Sequence, residues 1–194
     1  MDPHRTVVTQ STQSTDAFTL FGRFRISSTQ IFYRSESGLS FGMVNLRPIV
    51  PGHVLVVPTR VVPTLDQLTD TEYEDLWCSV RCVQKILQRH YFPNYNNDPQ
   101  SFGFNVAVQD GVAAGQSVPH VHVHILPRRH GLDFVRNDDV YDALQDWAPT
   151  SELRQWKLSN GLGHGSLHVP ADEQRRDRTM EEMNMEASLY RDVD

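Results

Sequence analysis

The period of the hydrophobic pattern changes several times along this chain, and each change marks an element. Before Phe18 there is almost no pattern: MDPHRTVVTQSTQSTD is dominated by polar residues. With too little apolar surface to offset the entropy of ordering, residues 1–17 are expected to be a disordered extension. From Phe18 onward FTLFGRFRI, QIFYRS and LSFGMVN are short aromatic and β-branched runs separated by Ser, Thr and Gly, the texture of strands joined by tight turns. SESG at 35–38 supplies a hairpin turn. HVLVVP at 53–58 is a continuous apolar run bounded by Gly52 and Pro58, which predicts a central strand buried on both faces. Thr69 and Glu72 have capping-box spacing, and Tyr73, Leu76, Trp77, Val80, Val83, Leu87 and Tyr91 then recur at three- and four-residue steps. This predicts the longest helix, ending before Pro93.

After the turn formers PNYNNDPQ, the run SFGFNVAVQ alternates, with Phe102, Phe104, Val106 and Val108 on one face of a half-buried strand. DGVAAGQSVP is a loop of small residues, and HVHVHILP resumes strand alternation from His120 to Leu126. Asn137 can cap a short helix through Tyr141, Leu144 and Trp147. The polar, glycine-containing stretch 147–177 is expected to be a flexible linker. A last helix runs from Thr179 to Tyr190, within a C-terminal segment 178–194 that packs on the domain formed by 18–146. The order of elements points to an α+β fold with helices on a mostly antiparallel sheet.

Composition narrows the function classes. At 194 residues the chain holds one domain with tails. Its longest apolar stretches fall far short of the ~20 residues needed to cross a bilayer, so no membrane partner is expected. Lys and Arg number 18 against 24 Asp and Glu, a net charge of -6, which lacks the basic surplus that duplex nucleic-acid binding requires. Cys78 and Cys82, the only cysteines, sit i, i+4 on the long helix, where buried thiols are expected rather than a disulfide framework. The N-terminal residues contain no apolar core of a signal peptide, so the cytoplasm or nucleus is the expected location.

The chemistry concentrates at His120, His122 and His124, which alternate with Val121, Val123 and Ile125. On a strand the three imidazoles share one face while the aliphatic residues enter the core. Such a row could be a solvated edge or a metal site. Against the metal, the outer two Cα atoms would lie about 13 Å apart, too far for all three rings to reach one ion easily, and no Glu or Cys follows at short spacing. The remaining reading is phosphate chemistry. A neutral imidazole can attack through one nitrogen while the other keeps its proton toward a carbonyl or carboxylate. The preceding loop, with Gln109, Gly111, Gly115, Gln116 and Ser117, provides amides, a hydroxyl and flexible backbone N–H groups of the kind that close on phosphate oxygens.

The run His120-Val121-His122-Val123-His124-Ile125-Leu126-Pro127-Arg128 resembles the signature of the histidine triad (HIT) superfamily of nucleotide hydrolases and transferases. QDGVAAGQSVPHVHVHILPRRHGLDF at 109–134 is similar to its Fhit branch, the fragile histidine triad proteins. LSFGMVNLRPIVPGHVLVVP, NDDVYDAL and RTMEEMNMEASLYR extend the likeness. The resemblance implies a HIT-like fold: a five-stranded, mostly antiparallel sheet with one long helix, continued across a homodimer. It implies hydrolysis of a dinucleoside polyphosphate, diadenosine triphosphate giving AMP and ADP, through a nucleotidyl-histidine on His122. His120 would orient the nucleophile, His124 would donate to a phosphate oxygen and Gln109 would contact the leaving side of the α-phosphate. Gly115, Gln116, Ser117 and Val118 would be the phosphate-binding backbone. Asn45 would bind the ribose with His53 beside it, and Phe21, Phe24, Ile26, Met43 and Leu55 would form the purine slot. No tightly bound cofactor or metal is implied; a divalent cation such as Mg or Mn would act through the substrate. Two rivals remain: a nucleotide-binding signalling protein whose substrate complex is the output, and another HIT activity such as phosphoramidate hydrolysis or DNA deadenylation. Tyr141 matches a position associated with phosphorylation, but a helix-face aromatic is the simpler reading.

Overall fold

The computed structural model describes residues 18–93, 102–129, 138–145, 147–148, 150–159 and 176–192. The expectations for the N-terminal extension, for 94–100, for Asn137 as a cap and for the linker at 160–175 lie outside the described residues. Phe18–Phe21 (β1) and Phe24–Ser27 (β2) pair as a separate hairpin around Gly22 and Arg23. Gly22 has φ +56°, and a Cβ there would lie 2.5 Å from Val118 Cγ1. Both the turn and this close approach therefore require glycine.

The main sheet has five antiparallel strands: β3 (Ile31–Arg34), β4 (Ser40–Val44), β5 (Val54–Pro58), β6 (Phe102–Val108) and β7 (Val123–Arg129), in the order β3-β4-β5-β7-β6. The expected 35–38 turn joins β3 to β4, with Gly38 at φ +73° and its N–H donating to Ser35 O at 3.0 Å. All five residues of β5 are buried. Val54 and Val56 pack into one cluster with Leu76, Val80, Val83 and Leu87 of the long helix, while Leu55 and Val57 pack on the opposite face with Phe21, Ile26 and Trp147. Burial on both faces is why this strand is apolar without alternation.

The long helix α1 (Asp70–Tyr91) begins at the Thr69–Glu72 capping box. Its stripe at 76, 80, 83 and 87 faces the sheet, so Cys78 and Cys82 fall on the outer face and are exposed. The expectation of buried thiols was wrong, because residue 78 is about 200° of helical turn from Leu76. Two short helices follow, α2 (Asp139–Gln145) and α3 (Ser151–Ser159). Within the stretch expected as linker, α3 is a correction: Thr150 Oγ1 accepts from Leu153 N at 3.2 Å, an N-cap bond, and Leu153 packs on the Phe21 cluster. The last helix, α4 (Met180–Arg191), starts at a second capping box, Thr179–Glu182, and buries Met183, Ala187 and Tyr190. Among the described residues no helix is long and apolar enough to cross a membrane.

Candidate active site

The histidine run enters β7 later than its alternation predicts. The strand begins at Val123, and the preceding residues are tied elsewhere: Val121 N–H donates to Val62 O at 2.8 Å and His120 N–H to Val118 O at 2.7 Å. The partition of faces nevertheless holds. Val121, Val123 and Ile125 join the core beneath α1, and the three imidazoles gather on the other side, each at most 1% exposed. The rings of His122 and His124 are 5.0 Å apart, and the edge of Phe21 meets His122 at 5.1 Å.

Main-chain groups set the protonation of His120, His122 and His53, and the His53 ring sets that of His124. Gly22 N–H donates to His120 Nδ1 at 3.0 Å, so His120 carries its proton on Nε2 and donates to Pro58 O (2.9 Å) and Arg60 O (3.1 Å). Burial lowers its pKa below the usual histidine value, against the opposing pull of those two carbonyls. His122 Nδ1 lies 2.6 Å from His120 O, a group that only accepts. His122 therefore holds its proton on Nδ1 and keeps a lone pair on Nε2. Ile49 N–H donates to His53 Nδ1 at 3.1 Å, which makes His53 Nε2 the donor to His124 Nδ1 at 2.9 Å. His124 in turn carries its proton on Nε2. The result is a nucleophilic nitrogen on His122 beside an N–H donor on His124, each orientation fixed by the hydrogen bond behind it.

The His120 carbonyl holds the His122 ring, while the His120 ring anchors the β1–β2 turn to the end of β5. His53, expected beside the ribose, has both ring nitrogens engaged and stands behind His124 as the group that sets its tautomer.

Gln109 follows Val108, which is opposite Val123 in the ladder, so it sits one step past the register toward His122. Its Nε2 donates to Leu144 O at 3.0 Å, and its buried Oε1 has no hydrogen-bond partner. The small-residue loop closes on itself: Ala114 and Gln116 donate to Gly111 O and Gly115 to Val112 O, with Gly111 and Gly115 at positive φ. Gln116 also donates from Nε2 to Pro63 O at 2.7 Å. The N–H groups of Gly115 and Gln116, expected on phosphate, are thus engaged within the loop. Ser117 and Val118 continue toward His120, and Ser117 Oγ is buried without a hydrogen-bond partner.

All five residues expected for the purine slot, Phe21, Phe24, Ile26, Met43 and Leu55, line one cavity of about 220 Å³, with Asn45 at its edge. Asn45 is 1% exposed and its Nδ2 has no hydrogen-bond partner. A mostly apolar cavity with two buried amides, Asn45 and Gln30, suits a base and its sugar.

Three contributors escaped the sequence reading. Trp147 is buried over the histidines, its ring 4.6 Å from His124 and 5.6 Å from His122, with Nε1 donating to Arg47 O at 3.2 Å. Arg60, whose carbonyl holds His120, donates from Nε to Glu72 Oε1 at 2.7 Å, and this arginine with the Thr69 N–H holds the Glu72 carboxyl down at about 2. Arg178 donates from Nε to Asn45 O at 2.9 Å and pairs with Glu186 at 2.5 Å, while Met180 and Met183 of α4 complete the cavity wall. The capping box at Thr179 was visible in the residues; the reach of Arg178 back to Asn45, 133 residues earlier, was not.

A family model described as the HIT domain matches residues 26–131. The chain belongs to the HIT family. It is similar to the asymmetrical bis(5'-nucleosyl)-tetraphosphatase of Schizosaccharomyces pombe, at 40% identity over 86% of this chain and 89% of that one. It is equally similar, at 40% identity over 89% of this chain and 82% of the other, to the bifunctional bis(5'-adenosyl)-triphosphatase/adenylylsulfatase FHIT of Arabidopsis thaliana. Among solved structures, the C. elegans NitFhit protein superposes with a TM-score of 0.61 at 34% identity, covering 94% of this chain and 31% of that longer one. In this HIT protein the matched segment holds the three histidines, the loop, Asn45 and His53. Phe21, Phe24, Trp147 and α4 lie outside it.

Proposed function

We propose that this protein is a dinucleoside polyphosphate hydrolase that converts diadenosine triphosphate and water to AMP and ADP. The observation that carries the reading is the pair of opposite tautomers, a lone pair on His122 Nε2 beside an N–H on His124 Nε2, next to a base-sized cavity. With the base in that cavity, His122 Nε2 attacks the α-phosphorus. The bond from phosphorus to the bridging oxygen breaks and ADP departs with the electron pair. His122 keeps its Nδ1 proton on His120 O, so the imidazolium charge of the intermediate is stabilised where it forms. Water then attacks the same phosphorus, releases AMP and a proton, and returns His122 to its starting state. His124 and Ser117 supply donors to the phosphate oxygens, Gln109 adds the second hydrogen of its Nε2, the first being held by Leu144 O, and any divalent cation enters with the substrate. The names of the relatives support both triphosphates and tetraphosphates as the substrate class.

The test is chromatography of the products formed from diadenosine triphosphate in excess EDTA, with His122→Ala alongside. AMP and ADP from the wild type alone is the expected result; no products with or without added Mg would sink the reading. One observation favours a second reading, a binding protein whose complex is the output: Trp147 packs on His122 and His124, and both rings are buried. Turnover slower than ligand dissociation by orders of magnitude would select that reading. The same proposal includes a homodimer. The β6 edge of the sheet and the outer face of α1, with Tyr73 45% exposed and a buried, unpartnered Trp77 Nε1, support it. Sedimentation as a monomer at micromolar concentration would count against it.

A further inference from the structure

A dinucleoside substrate has two ends, and the base cavity with the histidines accounts for only one of them. Phe24, which walls the base cavity, also walls a second and larger one of about 580 Å³. Its lining includes Arg23 from the hairpin turn, Ser117 and Val118 from the loop, and Leu153 and Trp156 from α3. Resting on the hydrolase reading, we propose that this second cavity is the subsite for the departing half of the substrate, a purine nucleoside diphosphate.

Four features point to such a ligand. The volume falls in the range of pockets that enclose a molecule of nucleotide size. The walls offer two aromatic rings, Phe24 and Trp156, with Trp156 left 49% exposed at the rim, and flat bases stack on such rings without regard to sequence. The cation is present, since the Arg23 guanidinium lies 5.4 Å from the centre of the Phe24 ring, where it can face a phosphate while the base stacks beyond it. Finally the cavity borders the reaction: Ser117 and Val118 run directly into His120, and Gly22, also in its lining, donates to the His120 ring. The Ser117 hydroxyl, buried and without a partner, lines this second cavity and is available to a phosphate oxygen. Except for the loop and Val61, this lining comes from segments outside the 26–131 family match.

The proposal separates dinucleotide from mononucleotide. Isothermal titration of the full His122→Ala chain, which cannot turn over, is run with diadenosine triphosphate and with AMP, then repeated with Trp156→Ala, Trp156→Phe or Arg23→Ala added. Trp156→Ala is expected to raise the Kd for the dinucleotide roughly tenfold, Trp156→Phe to restore most of the affinity, and Arg23→Ala to raise it severalfold more steeply at low salt. The Kd for AMP is expected to stay within about twofold throughout. Equal losses for both ligands, or no loss for the dinucleotide, would overturn the subsite while leaving the hydrolase reading intact. Failure of His122→Ala to bind either ligand, together with no products from the wild type, would instead remove the hydrolase reading and the subsite with it.

Discussion

The two cavities that meet at Phe24 are built by different means. The smaller one is walled by strands β2, β4 and β5 and sealed by α4, whose Arg178, Glu186 and Tyr190 form a chain of bonds from Asn45 O to Tyr91 on α1. The larger one is walled by a turn, a loop and the nine-residue α3. Sheet and helix hydrogen bonds fix backbone positions cooperatively, whereas a loop and a short helix hold theirs by few contacts. The contrast is one between a nucleoside read by a rigid frame and a departing group held by an adaptable rim. Of the three histidines, His124 lies within β7 of the rigid frame.

The largest effect is expected from His122→Ala, about four orders of magnitude or more in kcat, with AMP binding retained in a titration; residual turnover near wild type would move the nucleophile elsewhere. Next is His124→Ala, which removes a donor to the phosphate and is expected to lower kcat by about a hundredfold. A His53→Phe variant should reproduce part of that loss with little change in KM, since His53 acts only by holding the His124 tautomer. Arg178→Ala tests the rigid frame. It leaves Glu186 and the Asn45 carbonyl without their cation, and urea denaturation is expected to show a loss of about 2 kcal/mol, with KM rising more than kcat falls. An unchanged KM would mean that α4 does not position the nucleoside side.

The smallest expected effect is in pH. Burial depresses the His120 pKa, so between its ordinary value near 6.5 and its lower native value the unfolded chain takes up a proton that the native chain refuses. Stability is therefore expected to fall as pH drops below 6.5, read as a falling urea midpoint. Titration of His120 by NMR with a pKa at or above 6.5 would contradict it.

Much of the frame was legible in the residues because its signals are local. The capping boxes at Thr69 and Thr179, the apolar run of β5 and the turn at 35–38 each depend on neighbours within a few positions, and each stands where the pattern put it. The five residues that the family likeness grouped do line one cavity. Trp147 was not legible, because its three-residue spacing from Leu144 reads as helix whereas its ring turns onto His122 and His124. Nor was α3, whose apolar positions are few among polar ones and gain their meaning only by packing on the hairpin and the loop.

By itself the sequence determined the antiparallel frame, the alternation that sends valines to the core and imidazoles to the opposite face, and the residue types able to act on phosphate. The tautomer of each imidazole comes instead from the fold. A ring nitrogen donates or accepts according to the group that meets it, and for His120 those groups are Gly22, Pro58 and Arg60, at 98, 62 and 60 residues' separation. The order of residues contains the three histidines; distant main-chain groups make His120 an anchor, the His120 carbonyl leaves a lone pair on His122 Nε2, and the His53 ring leaves an N–H on His124 Nε2.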